Sequence, residues 1–178
     1  MKKYFIIVLF CLLPFLSLAQ EIKEIKISTN QSYLSISSTL DQPISGEIID
    51  LLKNGVKVTI VYHIQVQEKR PFFLLFDKTL AEKTVKKIVT YNIWEKMFHL
   101  AEDEELYKLK SEEELQKKLM CILDVKMIPM SELKEKKNCY IKVRAELESI
   151  KLFPPLSWIY DLVITRSFET SWKKKDIK

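Results

Sequence analysis

Two histidines, two of the three cysteines and two runs of carboxylates are the first places to look for chemistry in this 178-residue chain. His63 and His99 stand far apart in the sequence and form neither an HxH nor an HxxxH pair, the spacings from which helices and strands build zinc sites. Each reads as a surface histidine. A serine or cysteine nucleophile needs a histidine base within reach; no GxSxG occurs, and Cys121 and Cys139 carry no flanking signature. The acidic runs Glu102-Asp103-Glu104-Glu105 and Glu112-Glu113-Glu114 suit a solvated turn and the first turn of a helix, where the dipole favours negative charge. With only Gly46 and Gly55 present, no phosphate-cradling or dinucleotide loop can form, because such loops need several glycines for close backbone approach. No catalytic residue and no metal ligand is assigned, no cofactor is expected, and an enzyme is the least favoured class.

These residues sit behind what reads as an export leader. Lys2 and Lys3 precede an apolar run from Tyr4 to Leu16, and Ser17-Leu18-Ala19 places small residues where signal peptidase cuts. The expectation is a signal peptide over 1–19 and one strand-rich domain over 20–178. The apolar run is shorter than the ~20 residues that cross a bilayer, so an uncleaved anchor is the lesser alternative. Cys11 would leave with the leader. Removing Lys2 and Lys3 takes the basic count from 29 to 27 against 24 acidic residues, so the formal charge falls from +5 to +3. That mild, dispersed excess argues against nucleic acid as a partner. In an oxidising compartment Cys121 and Cys139 have two fates: a disulfide closing a loop of roughly 18 residues, worth ~3 kcal/mol, or two buried thiols.

The elements that must position everything are mostly strands. Tyr33 to Leu40 carries Leu34, Ile36 and Leu40 on one face with serines between them. Pro43 then starts a helix whose stripe is Ile44, Ile48, Leu51 and Leu52, with Gly55 as its stop. From Val56 to Val66 apolar and polar residues alternate, Val61 alone breaking the pattern, and His63 falls on the wet side. Val85 to Tyr91 is a further strand; Asn92 to Glu95 turns the chain toward a partner around Phe98 and Leu100, and Leu106 to Leu109 follows. Ser111 and Glu114 make a capping box for a helix that buries Leu115, Leu119, Ile122 and Leu123. A polar connection at Ser131 to Asn138 leads to the strand from Ile141 to Leu147, which Phe153-Pro154-Pro155-Leu156 interrupts. Leu162 to Trp172 is the last strand, and Lys173 to Lys178 a charged tail. The architecture expected is α+β and strand-rich: a curved antiparallel sheet with two main helices packed on it, and a sandwich as the alternative.

The stretch Ile48-Ile49-Asp50-Leu51-Leu52-Lys53-Asn54-Gly55-Val56 running into the strand through Tyr62, then Arg70, Phe76-Asp77-Lys78, Tyr91-Asn92-Ile93 and Ser167-Phe168 with Trp172, resembles a bacterial family catalogued as domain of unknown function 4390. The resemblance spans nearly the whole chain after the leader. It implies a small exported protein of Gram-negative-type bacteria, placed in the periplasm, and it brings no catalytic residue. Where this family often has tryptophans, the chain has Phe72, Phe73 and Phe76. That aromatic run is the binding candidate, toward a partner protein or the headgroup region of a membrane; the competing reading buries it against the helices. The function expected is a non-enzymatic interaction module for an envelope protein, such as the outer part of a membrane sensor. The alternative is a carrier that holds a lipid or other apolar ligand between sheet and helix.

Overall fold

The computed structural model describes residues 20–29, 32–71, 76–134, 138–151 and 168–177. The leader at 1–19, Phe72 and Phe73, and the segment from Phe153 through the start of the expected last strand lie outside them. The elements run β1 (Ile22–Thr29), β2 (Tyr33–Leu40), α1 (Gly46–Lys53), β3 (Lys57–Glu68), β4 (Lys78–Asn92), β5 (Met97–Glu102), β6 (Glu105–Leu109), α2 (Glu112–Leu119), β7 (Cys121–Pro129), α3 (Met130–Lys134), β8 (Cys139–Lys151) and β9 (Lys173–Asp176). They form a three-stranded sheet in the order β1-β2-β7 and a six-stranded sheet in the order β6-β5-β4-β3-β8-β9. Every pairing between these strands is antiparallel. The fold is α+β and strand-rich.

The two sheets share one apolar core. Leu34, Ile36 and Leu40 of β2 meet Val58, Ile60, Tyr62, Ile64 and Val66 of β3, with Val85 and Val89 of β4 and Ile141, Val143 and Ala145 of β8 around them. Each such side chain, wholly removed from water, contributes about 1.5–3 kcal/mol for the larger aliphatics. Period-two alternation is what brings these residues to one side: β3 buries every even position from 58 to 66, while Thr59, His63 and Gln65 stay partly wet. Ser38 follows the same parity inward, and its hydroxyl has no partner among the described residues.

Both main helices close one end of this core. Ile48, Ile49 and Leu52 of α1 and Leu115 and Leu119 of α2 are buried. A side-chain amide joins α2 to the segment that leads into α1: Gln116 Nε2 donates to the Ile44 carbonyl, and the Ile44 N–H donates to Gln116 Oε1, both at 2.8 Å. Half of the expected capping box is present: Ser111 Oγ accepts from the Glu114 N–H at 3.2 Å, while Glu114 Oε2 accepts from the Lys110 N–H at 2.9 Å, one residue before the reciprocal donor expected at Ser111.

Four boundaries differ from the sequence reading. Gly46, not Pro43, is the first residue of α1. The helix expected to bury Ile122 and Leu123 ends at Leu119, and both residues belong to β7, whose ladder to β2 outcompetes another helical turn. Ile122 turns inward, whereas Leu123 is exposed at a bulge where Asp124 adopts φ 50° and its N–H donates to Ser37 Oγ at 3.1 Å. Strand β1 escaped the sequence reading because a register shift near Ile22 and Glu24 disrupts its alternation. Finally, the charged tail is a strand: β9 pairs with β8 from Lys173 to Asp176. The ammonium groups of Lys173 and Lys175 donate to the carbonyls of Lys23 and Ile25 on β1, at 3.0 and 2.5 Å. Charged side chains thus cover the edge at which the two sheets meet.

Candidate interaction surfaces at the two ends of strand β4

Strand β4 is fifteen residues long, so its ends lie roughly 45 Å apart at the usual rise of a strand. The chemistry-bearing side chains gather at those ends. At the Lys78 end β3 turns back into β4. There Phe76 is 79% exposed, and the base of the turn is tied by Asp77, whose Oδ1 accepts from the Arg70 N–H at 3.1 Å. Tyr140, near the start of β8, is buried at 4% exposure. Its hydroxyl lies 2.7 Å from Asp77 Oδ2 and 2.5 Å from Gln67 Oε1; its one proton is shared between two acceptors. Burial, and then the neighbouring carboxylate, push the Tyr140 phenol up to about 12. The phenol's hydrogen bond and the Arg70 N–H hold Asp77 below the usual carboxylate range. Lys69, Arg70, Asp77, Tyr140, Lys174 and Asp176 line a cavity of about 440 Å³.

At the Asn92 end, β4 outruns β3: the β3 partner of Val89 is Val58, while Thr90 to Asn92 pair only with β5. The hairpin tip therefore projects. Asn92 Oδ1 accepts from the N–H groups of Trp94 and Glu95, at 3.0 and 3.1 Å, an Asx turn that fixes the backbone. Lys96 completes the reversal at φ 53°. Ile93 and Trp94 point outward at 62% and 96% exposure. Just behind them, Glu95 accepts from His99 Nε2 at 2.9 Å and pairs with Lys108 at 3.0 Å, contacts that lower its carboxyl below the ordinary value, His99 first.

Between the ends, Lys87 projects from β4 into the core at 1% exposure. Its ammonium donates to the carbonyls of Lys118 and Cys121, each at 2.6 Å, and pairs with Glu102 at 3.1 Å. Tyr62 joins it, donating to the Leu119 carbonyl at 2.6 Å. Carbonyls left over at the C-terminus of α2 are thus satisfied by β3 and β4, with the positive charge at the favourable end of the helix. Burial pulls the Lys87 pKa down, and Glu102 opposes the shift.

The remaining expected residues are dispersed. His63 bonds Glu146 at 2.9 Å on the outer face; Glu146 also pairs with Arg144 at 3.3 Å, whose guanidinium bonds Glu169 and lies 5.1 Å from the Trp172 ring centroid. Among the described residues no three His, Cys, Asp or Glu side chains converge as metal ligands. Cys121 and Cys139 are not joined to each other in a disulfide, so of the two fates open to them the bridge is not the one adopted. The distance explains it. Cys121 sits over Lys87, which lies opposite Ile60, while Cys139 lies opposite Glu68. Eight residues of β3 separate those levels, roughly 26 Å, where a disulfide needs Cα atoms within about 7 Å.

Of Phe72, Phe73 and Phe76, only Phe76 falls within the described residues, and it is a surface residue. Sequence reading missed Trp94, Lys87 and Tyr140. A signal existed for two of them: Ile93 and Trp94 are apolar residues inside a predicted turn, and Lys87 shares its strand parity with Val85 and Val89. Tyr140 gave no such sign.

A single sheet pair of this kind, with no cluster of reactive groups among its described residues, defines a class by its architecture alone. A family model described as Domain of unknown function (DUF4390) matches residues 19–176, and the chain belongs to that family. No curated protein and no solved structure matches it.

Proposed function

We propose that this protein is an exported, non-enzymatic interaction module that works in the periplasm, and that the Ile93–Trp94 tip is its contact with an envelope protein. One observation carries this reading: a tryptophan 96% exposed on a turn whose backbone is already held by Asn92. Water around an exposed indole is released on docking, and a turn that is ordered beforehand loses little further entropy when a partner closes on it. Tryptophan is also among the residues that dominate protein interfaces. The alternative, a carrier of apolar ligand between sheet and helix, has less support, because the side chains of both sheets and both main helices fill one continuous core and the cavity at the Lys78 end is lined by polar and charged groups.

The test is a photo-crosslinking residue placed at position 94 in cells of the native host, with position 123, exposed on the other sheet, as the comparison. A discrete envelope-protein adduct from position 94 and none from 123 is the expected result. Equal adducts from both positions, or none from 94, refute the assignment. Intact mass of the exported form tests the compartment: a chain beginning at Gln20 is expected.

A further inference from the structure

The cavity at the Lys78 end of β4 has a charge arrangement that its internal contacts do not use up. Three cations and two carboxylates line it, an excess of one positive charge. Lys69 is matched to Asp176 at 2.7 Å, and Asp77 is occupied by the Tyr140 hydroxyl and the Arg70 N–H. Among the described residues the Arg70 guanidinium and the Lys174 ammonium have no carboxylate within salt-bridge distance. Lys174 instead lies 5.3 Å from the centroid of the Tyr140 ring, and Lys69 lies 5.7 Å from the same centroid. Cations from two separate segments, the end of β3 and β9, are thereby gathered around one neutral phenol.

We propose that this cavity binds a phosphate group, with Arg70 and Lys174 as its ligands. The guanidinium offers a planar fork that matches two phosphate oxygens, and the ammonium adds a point charge. Two cations that form no salt bridge among the described residues suit a phosphate monoester, which carries up to two negative charges, better than a carboxylate with one; Lys174 is near enough to Asp77 to help lower its pKa, but is not bonded to it. Asp77 and Asp176 stand at the same rim, so discrimination comes from position: each carboxylate is already bonded, and the open donors are those of Arg70 and Lys174. At about 440 Å³ the space falls within the range of small-molecule sites, so the rest of a ligand has room. The phosphate could belong to a soluble molecule or to the headgroup of a lipid.

Two measurements on isotope-labelled protein separate these sources and test the site. Titration with inorganic phosphate, followed by NMR, is expected to shift the amide resonances of Arg70 and Lys174 saturably. The Arg70→Ala/Lys174→Ala variant should weaken binding by about tenfold or more, the loss of charge-assisted contacts. Arg70→Lys/Lys174→Arg, which keeps both charges, should retain most of it. Flotation with vesicles of phosphatidic acid in phosphatidylcholine then assigns the source: flotation lost in the alanine variant identifies a lipid headgroup, and saturable phosphate shifts without flotation identify a soluble ligand. Absence of both responses, or responses unchanged in the alanine variant, overturns the site.

Discussion

The two ends of β4 solve opposite problems with the same strand. At Asn92 the strand outruns β3, and an Asx turn made by one neutral side chain, with Glu95 bonded to His99 and Lys108 behind it, holds a tip whose apolar residues face water. At Lys78 the turn is flanked by β8 and β9, so its base is a basin: Tyr140 is inside, and cations and carboxylates ring it. The difference shows that strand length relative to its neighbours, more than the composition of the turn, decides whether a hairpin presents a projection or a cavity.

Mutations graded along β4 test that contrast. The largest effect is expected midway, at Lys87. Lys87→Ala should cost about 3–5 kcal/mol in chemical denaturation, because Glu102 loses its partner and buried carbonyls lose their donor. Hydrogen exchange should accelerate at both ends together. Lys87 also titrates below 10.5 in the folded protein, so the unfolded chain binds its proton more tightly; this residue's penalty on folding should diminish as pH rises toward 10.5, a trend absent from Lys87→Met.

Tyr140→Phe comes next, at about 1–3 kcal/mol, the cost of leaving a buried acceptor without its donor. Because the phenol is pushed up to about 12, the native state retains a proton that the unfolded chain releases near the ordinary tyrosine value. Wild-type stability should therefore fall between pH ~10 and ~12 relative to Tyr140→Phe. Asn92→Ala should cost about 1 kcal/mol and leave the cavity end untouched, with the loosened turn visible as lower fluorescence anisotropy of Trp94. Trp94→Ser is the smallest: stability within about 0.5 kcal/mol of wild type while contact with the proposed envelope partner is lost. A large fall in melting temperature for that variant would show the indole to be structural.

Much of the framework was legible because β3 and β8 largely follow a period of two, and because Ser111, capping the Glu114 N–H, marks a helix start through a purely local hydrogen bond. The site was less so. Tyr140 matters through Asp77 and Gln67, 63 and 73 residues away, and no local pattern records such a meeting. Leu123 read as a helical core position because its spacing from Leu119 is helical; pairing with β2 made it a bulge residue instead.

Local alternation and capping were sufficient to specify a strand-rich α+β chain and the inward face of its longest strands, since those choices depend only on neighbours a few residues apart. Which strands pair, why Lys173 and Lys175 end on the carbonyls of β1, and how Arg70, Asp77, Tyr140 and Lys174 come to share one basin all depend on contacts between distant segments. Those contacts form only when burying a common core brings the segments together.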